Sequence, residues 1–366
     1  MIALRRVAMG LLAPVAALIA AMIVTSLVVA ASGSAPGDFW GVIFSRPDNR
    51  LIVNMINQAS LIYISATAAA IGFRMNLFNI GVEGQYTIAS YAAATLAGAA
   101  IFPGKLNILA ALVVAVVVGA MWAGIAGVLR VARGVSEVIS TIMLNAIAVI
   151  LAGYLLNRYG QHVGNGVRSD VIPAGSWLGG WLPFAGPDGA IWSLAPLAVV
   201  VGVAFWVLLN KTRFGFDLRA TGASPSAAVA SGVNVNKMIV VSMLISGGVA
   251  GLIWMPAFFG SAHSYGTAFQ AGLGFTGIAV ALVGRNQPVG IAVGALLFAF
   301  LGEQSNQLTF QTDISVSVVQ ITQGVIVLTV VIAYEVVRRL RIRAEQSSVG
   351  ASPPPSTPAE HEAVPV

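Results

Sequence analysis

FRMNLFNIGVEGQ, residues 73–85, sets one Arg, two Asn, one Glu, one Gln and two Gly between two long apolar stretches. What these polar letters mean depends on the solvent around the chain. Of its 366 residues 57% are hydrophobic and 9% are Asp, Glu, Lys or Arg, with a mean hydropathy of +0.87. Soluble domains carry about 25% charged residues. A soluble body with so little polar surface would aggregate, so the composition indicates a polytopic membrane protein. At membrane depth, irregular backbone is tolerated only where protein buries it or it lines a water-filled cavity. Two readings of the stretch follow. It is a helix break bordering a polar pathway, with Glu83 as its only acid, or a cytoplasmic turn in which Arg74 fixes topology and glycine ends a helix. Composition leaves both open.

Working outward, a spanning helix needs about 20 mostly apolar residues. Candidate spans lie at 7–31, 51–72, 86–102, 107–129, 138–156, 191–209, 238–259, 272–284, 288–302 and 316–335. These make about ten transmembrane helices in an all-α polytopic protein. The span at 272–284 is short and Gly-rich, and reads as a half-helix or a broken one. The uncharged run Val7 to Ala31 follows Arg5 and Arg6. It exceeds the roughly 7–15 residues of a signal-peptide core and is read as a retained first helix. Fourteen of the 19 Lys and Arg residues then fall on the side of the N-terminus, and Arg46, Arg50, Lys105, Arg158 and Arg168 fall on the other. By the positive-inside rule both termini are cytoplasmic. Topology thus explains the net charge of +6, and no nucleic-acid partner is implied.

The layout divides into a first helix and external loop (1–50), a transmembrane domain (51–337) with a cytoplasmic loop at 210–237, and a basic end with a tail (338–366). The tail, rich in Pro, Ser, Ala and Glu, reads as disordered. Residues 157–190, with Trp177 and Trp181, suit an interfacial cap on the external mouth. Polar, Gly-rich breaks at 79–85 and 272–290, one in each half, fit a transporter built from two structural repeats.

Three further stretches carry polar chemistry. In 210–238, Ser224 before Pro225 forms an N-cap and first-turn pair, which predicts a short helix over 225–231 stopped near Gly232. That helix either docks a partner or belongs to an ordinary basic loop. SEVISTIMLNAIA (136–148) places Glu137 at a span end and Asn145 two turns inside, where Asn joins helices by hydrogen bonds or contacts a solute. In 261–290, His263 reads as a loop residue, and Gly272, Gly274 and Gly277 permit close helix packing.

The chain has no Cys and no GxxxxGK[ST]. A P-loop, a disulfide and a cysteine nucleophile are therefore excluded. Neither metal-ligand spacing nor a catalytic triad is legible, so no enzyme activity, catalytic residue, metal or cofactor is expected. Carboxylates are scarce within the spans. That disfavours, as the alternative, a self-contained ion-coupled carrier or channel for small polar solutes.

Four stretches in this order, LFNIGVEGQ (77–85), SEVISTIMLN (136–145), TRFGFDLRATGASPSAAVASGVNVNKMIVVSMLISGGVAGL (212–252) and GFTGIAVALVGRNQPVG (274–290), resemble one family. They resemble permease subunits of bacterial ABC importers in the branched-chain amino acid, ribose and nucleoside class. The likeness runs from about residue 50 to 335 and is nearest the nucleoside, or simple sugar, branch. It implies a type II importer-like permease of the bacterial plasma membrane, taking up a nucleoside or related small sugar-containing solute. The implied partners are a cytoplasmic ABC ATPase subunit that hydrolyses ATP, a second, non-identical permease, and an extracytoplasmic substrate-binding lipoprotein, all with membrane lipid around them.

The resemblance also implies that a coupling helix seats in the ATPase, carried by Gly222, Ala223, Ser224, Pro225, Ala227, Ala228 and Gly232. It favours the pathway reading for Asn79, Gly81, Glu83, Gly84 and Gln85, with Asn145 as a further candidate. The family turn GRNHP reads GRNQP here, with Gln287, and Asn76 stands where the family varies freely.

Overall fold

The computed structural model describes residues 19–184, 189–311, 317–329 and 332. Its helices are α1 (Ile19–Ala31), α2 (Pro36–Ile43), α3 (Asn49–Phe73), α4 (Val82–Gly98), α5 (Gly104–Arg133), α6 (Glu137–Tyr159), α7 (Leu197–Lys211), α8 (Arg213–Ala223), α9 (Pro225–Ala230), α10 (Val235–Gly251), α11 (Met255–Ala257), α12 (Leu273–Val283), α13 (Pro288–Gln311) and α14 (Ser317–Thr329). Between α6 and α7 lie two antiparallel hairpins, β1 (Gln161–Val163) with β2 (Gly166–Arg168) and β3 (Gly180–Trp181) with β4 (Ile191–Trp192).

Helix α3 is the axis of the bundle and packs against α7, α10, α12 and α13. Its N-terminus is closed by Asp48, whose carboxylate accepts from Leu51 N at 2.7 Å. Its Ala-rich second half, Ala66 to Ala70, is fully buried because small side chains let neighbouring backbones approach. The same rule joins α5 to α10, where Ala115 and Gly119 meet Gly247 and Gly251 backbone to backbone. By contrast α5 and α6 turn Val113, Val117, Met121, Ile142 and Ile150 outward. Apolar residues on every side of a helix fit a membrane span, whose outer face meets lipid.

Among the described residues five helices are long and apolar enough to cross a membrane: Asn49–Phe73, Gly104–Arg133, Glu137–Tyr159, Val235–Ala262 and Pro288–Leu308. A sixth is possible if α7 and α8, bent by 73°, count as one. Others in the expected set of ten are short: α4 has 17 residues and α12 has 11. The expected first and last spans extend outside the described residues, as do Arg5, Arg6, Arg338, Arg339, Arg341, Arg343 and the tail.

Two local differences from the sequence reading have clear causes. Helix α4 starts at Val82, four residues early, so Glu83, Gly84 and Gln85 form its first turns; Gly81 is its N-cap. Residues 213–223 are helical rather than loop, because Thr212 is an N-cap whose hydroxyl accepts from Gly215 N at 3.0 Å. The segment between α6 and α7 is pinned to residues 259–265 by backbone hydrogen bonds. Ser169 N donates to Tyr265 O at 2.8 Å, Ile172 N to His263 O at 3.0 Å and Leu178 N to Phe259 O at 3.1 Å.

Candidate functional site

The polar letters of 73–85 converge in a buried knot. Asn79 is fully buried, Gln85 is 1% exposed and Glu83 is 6% exposed. The two amides pair reciprocally: Gln85 Nε2 donates to Asn79 Oδ1 at 2.8 Å, and Asn79 Nδ2 donates to Gln85 Oε1 at 3.1 Å. Asn79 Nδ2 also donates to Ser246 Oγ on α10 at 2.9 Å, and that hydroxyl donates to Ala68 O on α3 at 2.6 Å. One short network therefore fastens α3, α4 and α10 together.

The first N–H groups of a helix have no partner within it. In α4 they are capped from elsewhere. Gly81 N donates to Asn79 Oδ1 at 3.0 Å. Gly84 N donates to Asn145 Oδ1 at 2.8 Å, while Asn145 Nδ2 donates to Ile80 O at 2.9 Å. Asn145 thus joins α6 to α4 and to the turn before it, with both ends of its amide engaged by backbone. Gly84 lies against it so closely that a Cβ would sit 2.8 Å from the Asn145 Cα.

Helix α4 caps α12 in the same way. Glu83 Oε1 accepts from Gly272 N at 2.7 Å and Oε2 from Gly274 N at 2.9 Å. Tyr86 OH lies 3.1 Å from Glu83 Oε1 and 2.8 Å from Gln270 O, within reach of both. A carboxylate at a helix N-terminus is favoured by the helix dipole and by the free N–H groups. Each hydrogen bond to such a charged acceptor contributes about 1.5–3 kcal/mol. Gly274 is required here, because any side chain would overlap the Glu83 backbone. The two polar breaks read in the sequence as separate are therefore bonded to each other.

The second predicted group lies just beyond the same C-terminal end of α3, against the turn that leads into the knot. Helix α9 spans Pro225–Ala230, with Ser224 Oγ accepting from Ala227 N at 3.3 Å and Gly232 in the left-handed region at φ +81°. Pro225, Ala227, Val229 and Ala230 are exposed, as is Ala223 before the helix, whereas Ala228 is 2% exposed and packs inward. Gly222 closes α8 onto the turn after α3, where a Cβ would sit 2.5 Å from Arg74 O and 3.0 Å from Met75 Cα. Arg74 Nε donates to Asn286 O at 2.9 Å, tying the same turn to the α12–α13 connection. Burial, together with Arg219 and Arg285 nearby, holds the Arg74 guanidinium below its usual pKa.

Sequence reasoning missed Ser246, Gly272 and Gly274 as members of the knot. Gly272 and Gly274 were noted for packing, but nothing local links them to Glu83. Glu137 pairs with Arg130 at 3.4 Å and joins α5 to α6. His263 stacks on Trp177, with ring centroids 4.2 Å apart and 6° between planes, and burial lowers its pKa. Among the described residues no His, Asp and Glu group is arranged to hold a metal ion. A groove of about 640 Å³ between α3, α7 and α13 is lined mainly by apolar side chains such as Ile56, Val199 and Leu296, and offers few polar groups to a hydrophilic solute.

The sequence has known relatives. The family described as branched-chain amino acid transport system / permease component matches residues 51–333. The guanosine ABC transporter permease protein NupP of Bacillus subtilis (strain 168) is 32% identical over 338 residues, 89% of this chain and 94% of the relative. The glucose ABC transporter permease protein TsgB13 of Haloferax volcanii is 29% identical, covering 90% of this chain and 89% of the relative. The nucleoside ABC transporter permease protein NupB of Lactococcus lactis subsp. cremoris is 28% identical, covering 79% and 82%.

Proposed function

The chain belongs to the branched-chain amino acid transport system permease component family, and on that premise we propose that it forms the import pathway for a nucleoside or related sugar-bearing solute, powered by ATP hydrolysis on a separate subunit. The solute class is supported by the relatives, two named for nucleosides and one for glucose, which share a sugar ring. The complex comprises this permease, a second, non-identical permease, cytoplasmic ATPase chains and an external substrate-binding lipoprotein. The chain crosses the membrane ten times with both termini in the cytoplasm, and residues 51–337 form the working domain between the first helix and the tail.

One observation carries the mechanism: an unbroken series of close contacts from the exposed α9 to the N-terminus of α12. ATPase motion at α9 moves α8, whose Gly222 rests on the Arg74–Met75 turn. That turn leads through Asn79 to Glu83, which holds Gly272 and Gly274. Displacing the turn therefore shifts the short helix α12 and alternates access on its far side. In this scheme Gly222, Ala223, Ser224, Pro225, Ala227, Ala228 and Gly232 form the coupling element. Asn79, Gly81, Glu83, Gly84, Gln85 and Asn145 border the pathway as its wall, their side chains bonded within it.

The test is guanosine uptake into proteoliposomes holding the chain with its co-purified partners and the binding protein. Uptake is expected only when ATP reaches the ATPase side. Equal accumulation without ATP would overturn the proposal in favour of a self-contained carrier.

A further inference from the structure

Five polar side chains outside the knot form a continuous strip. Asn54 and Gln58 lie one turn apart on α3. Gln58 Nε2 donates to Gln270 Oε1 at 3.1 Å. The Glu303 carboxyl on α13 lies beside the side-chain amides of Asn54 and Asn306. Asn54, Gln270 and Asn306 are exposed, and Gln58 and Glu303 are half-buried. Gln58 Oε1 is buried and has no hydrogen-bond partner.

The depth of the strip follows from the helices. Both α3 and α13 are candidate membrane spans. The inner end of α3 meets the α12–α13 turn through Arg74 and Asn286. Asn54 and Gln58 lie toward its other end, Gln58 roughly 14 Å along at 1.5 Å per residue. Glu303 and Asn306 lie toward the matching end of α13. The strip thus occupies the half of the membrane away from α9. Amides and a carboxylate at that depth do not face hydrocarbon; they face protein or a water-filled cavity and mark solute pathways.

The chemistry of the strip narrows what it can bind. Amides donate and accept, a carboxylate accepts, and the neighbours of Glu303 are amides rather than Lys or Arg. That set matches vicinal hydroxyls, each of which donates and accepts. Gln270 is also two residues from Gly272, which Glu83 holds, so the strip shares a loop with the coupling path. We propose that Asn54, Gln58, Gln270, Glu303 and Asn306 form a solute-binding station in the outer half of the pathway that recognises the vicinal hydroxyls of a sugar ring. The station rests on the import function proposed above.

The test compares uptake of guanosine, 2′,3′-dideoxyguanosine and ribose by the complete complex in proteoliposomes. Wild type is compared with Glu303→Gln, Asn54→Ala and Asn306→Ala, the last altering an exposed side chain with little risk to folding. The preference of the binding protein is common to all samples and cancels in the ratio between wild type and variant. The preference for guanosine over its dideoxy analogue is expected to fall about tenfold in Glu303→Gln and Asn54→Ala, as for one lost hydrogen bond to a charged or polar group, and several-fold in Asn306→Ala. Ribose uptake with the same sensitivity identifies free sugar as a source; guanosine uptake alone identifies nucleosides. An unchanged preference in all three variants overturns the station. Loss of the second permease from the purified variants also overturns it and makes the strip a subunit interface. If wild type moves neither guanosine nor ribose, the import function fails first, and the station with it.

Discussion

A carboxylate taken out of water is stable only when other groups replace the water it has lost. Glu83 finds them 189 and 191 residues away, in the backbone N–H groups of Gly272 and Gly274. Glu83→Gln turns one acceptor oxygen into an N–H donor facing another N–H, and removes the charge. Uptake by this variant is expected to fall at least tenfold, with the ATPase still co-purifying, because the substitution weakens the hold on α12 and leaves α9 intact. Loss of the ATPase instead would make Glu83 a residue of assembly. An acid at a Gly-rich break was legible as unusual in a chain with 9% charged residues. Its partner was not, since a backbone N–H carries no mark in the sequence. Asn145 shows the same limit: an amide inside a span announces a hydrogen bond, but not that Gly84 and Ile80 complete it.

At the scale of elements, α9 was readable because its signals are local: Ser224 caps, Pro225 fills the first turn and Gly232 stops it. The structure adds which face is free. Ala227 is exposed and Ala228 is buried, so bulky substitutions at the two positions act differently. Ala227→Trp is expected to abolish ATP-driven uptake while leaving the thermal stability of the purified chain within about 0.5 kcal/mol of wild type, as for other surface changes. Ala228→Trp overpacks its site and is expected to destabilise by about 1–3 kcal/mol. Uptake and thermal unfolding measured together separate the two effects, and normal uptake by Ala227→Trp would remove α9 from the coupling path. Helix α8 escaped the sequence reading because RFGFDLRATGA has little net hydrophobicity and depends on the Thr212 cap. The early start of α4 escaped it because the groups that cap its first turn lie in the preceding turn and on α6.

For the whole molecule, composition was decisive: low charge and high hydropathy leave a multi-pass membrane protein, and five long apolar helices carry that reading. The number of crossings is harder to read, because α4, α12 and the bent α7–α8 pair do not individually reach the length of a span. Such short helices are stable where other helices supply their caps, as Asn145 does for α4 and Glu83 for α12. A bundle built this way moves as linked pieces rather than as separate rods, which suits a subunit driven by another chain. The most direct measurement is gentle detergent extraction of the tagged chain from its native membrane, followed by mass spectrometry of what co-purifies. An ABC ATPase and a second permease are expected in the eluate. Recovery of the chain alone, active in liposomes without ATP, would contradict the mechanism and identify a self-powered carrier.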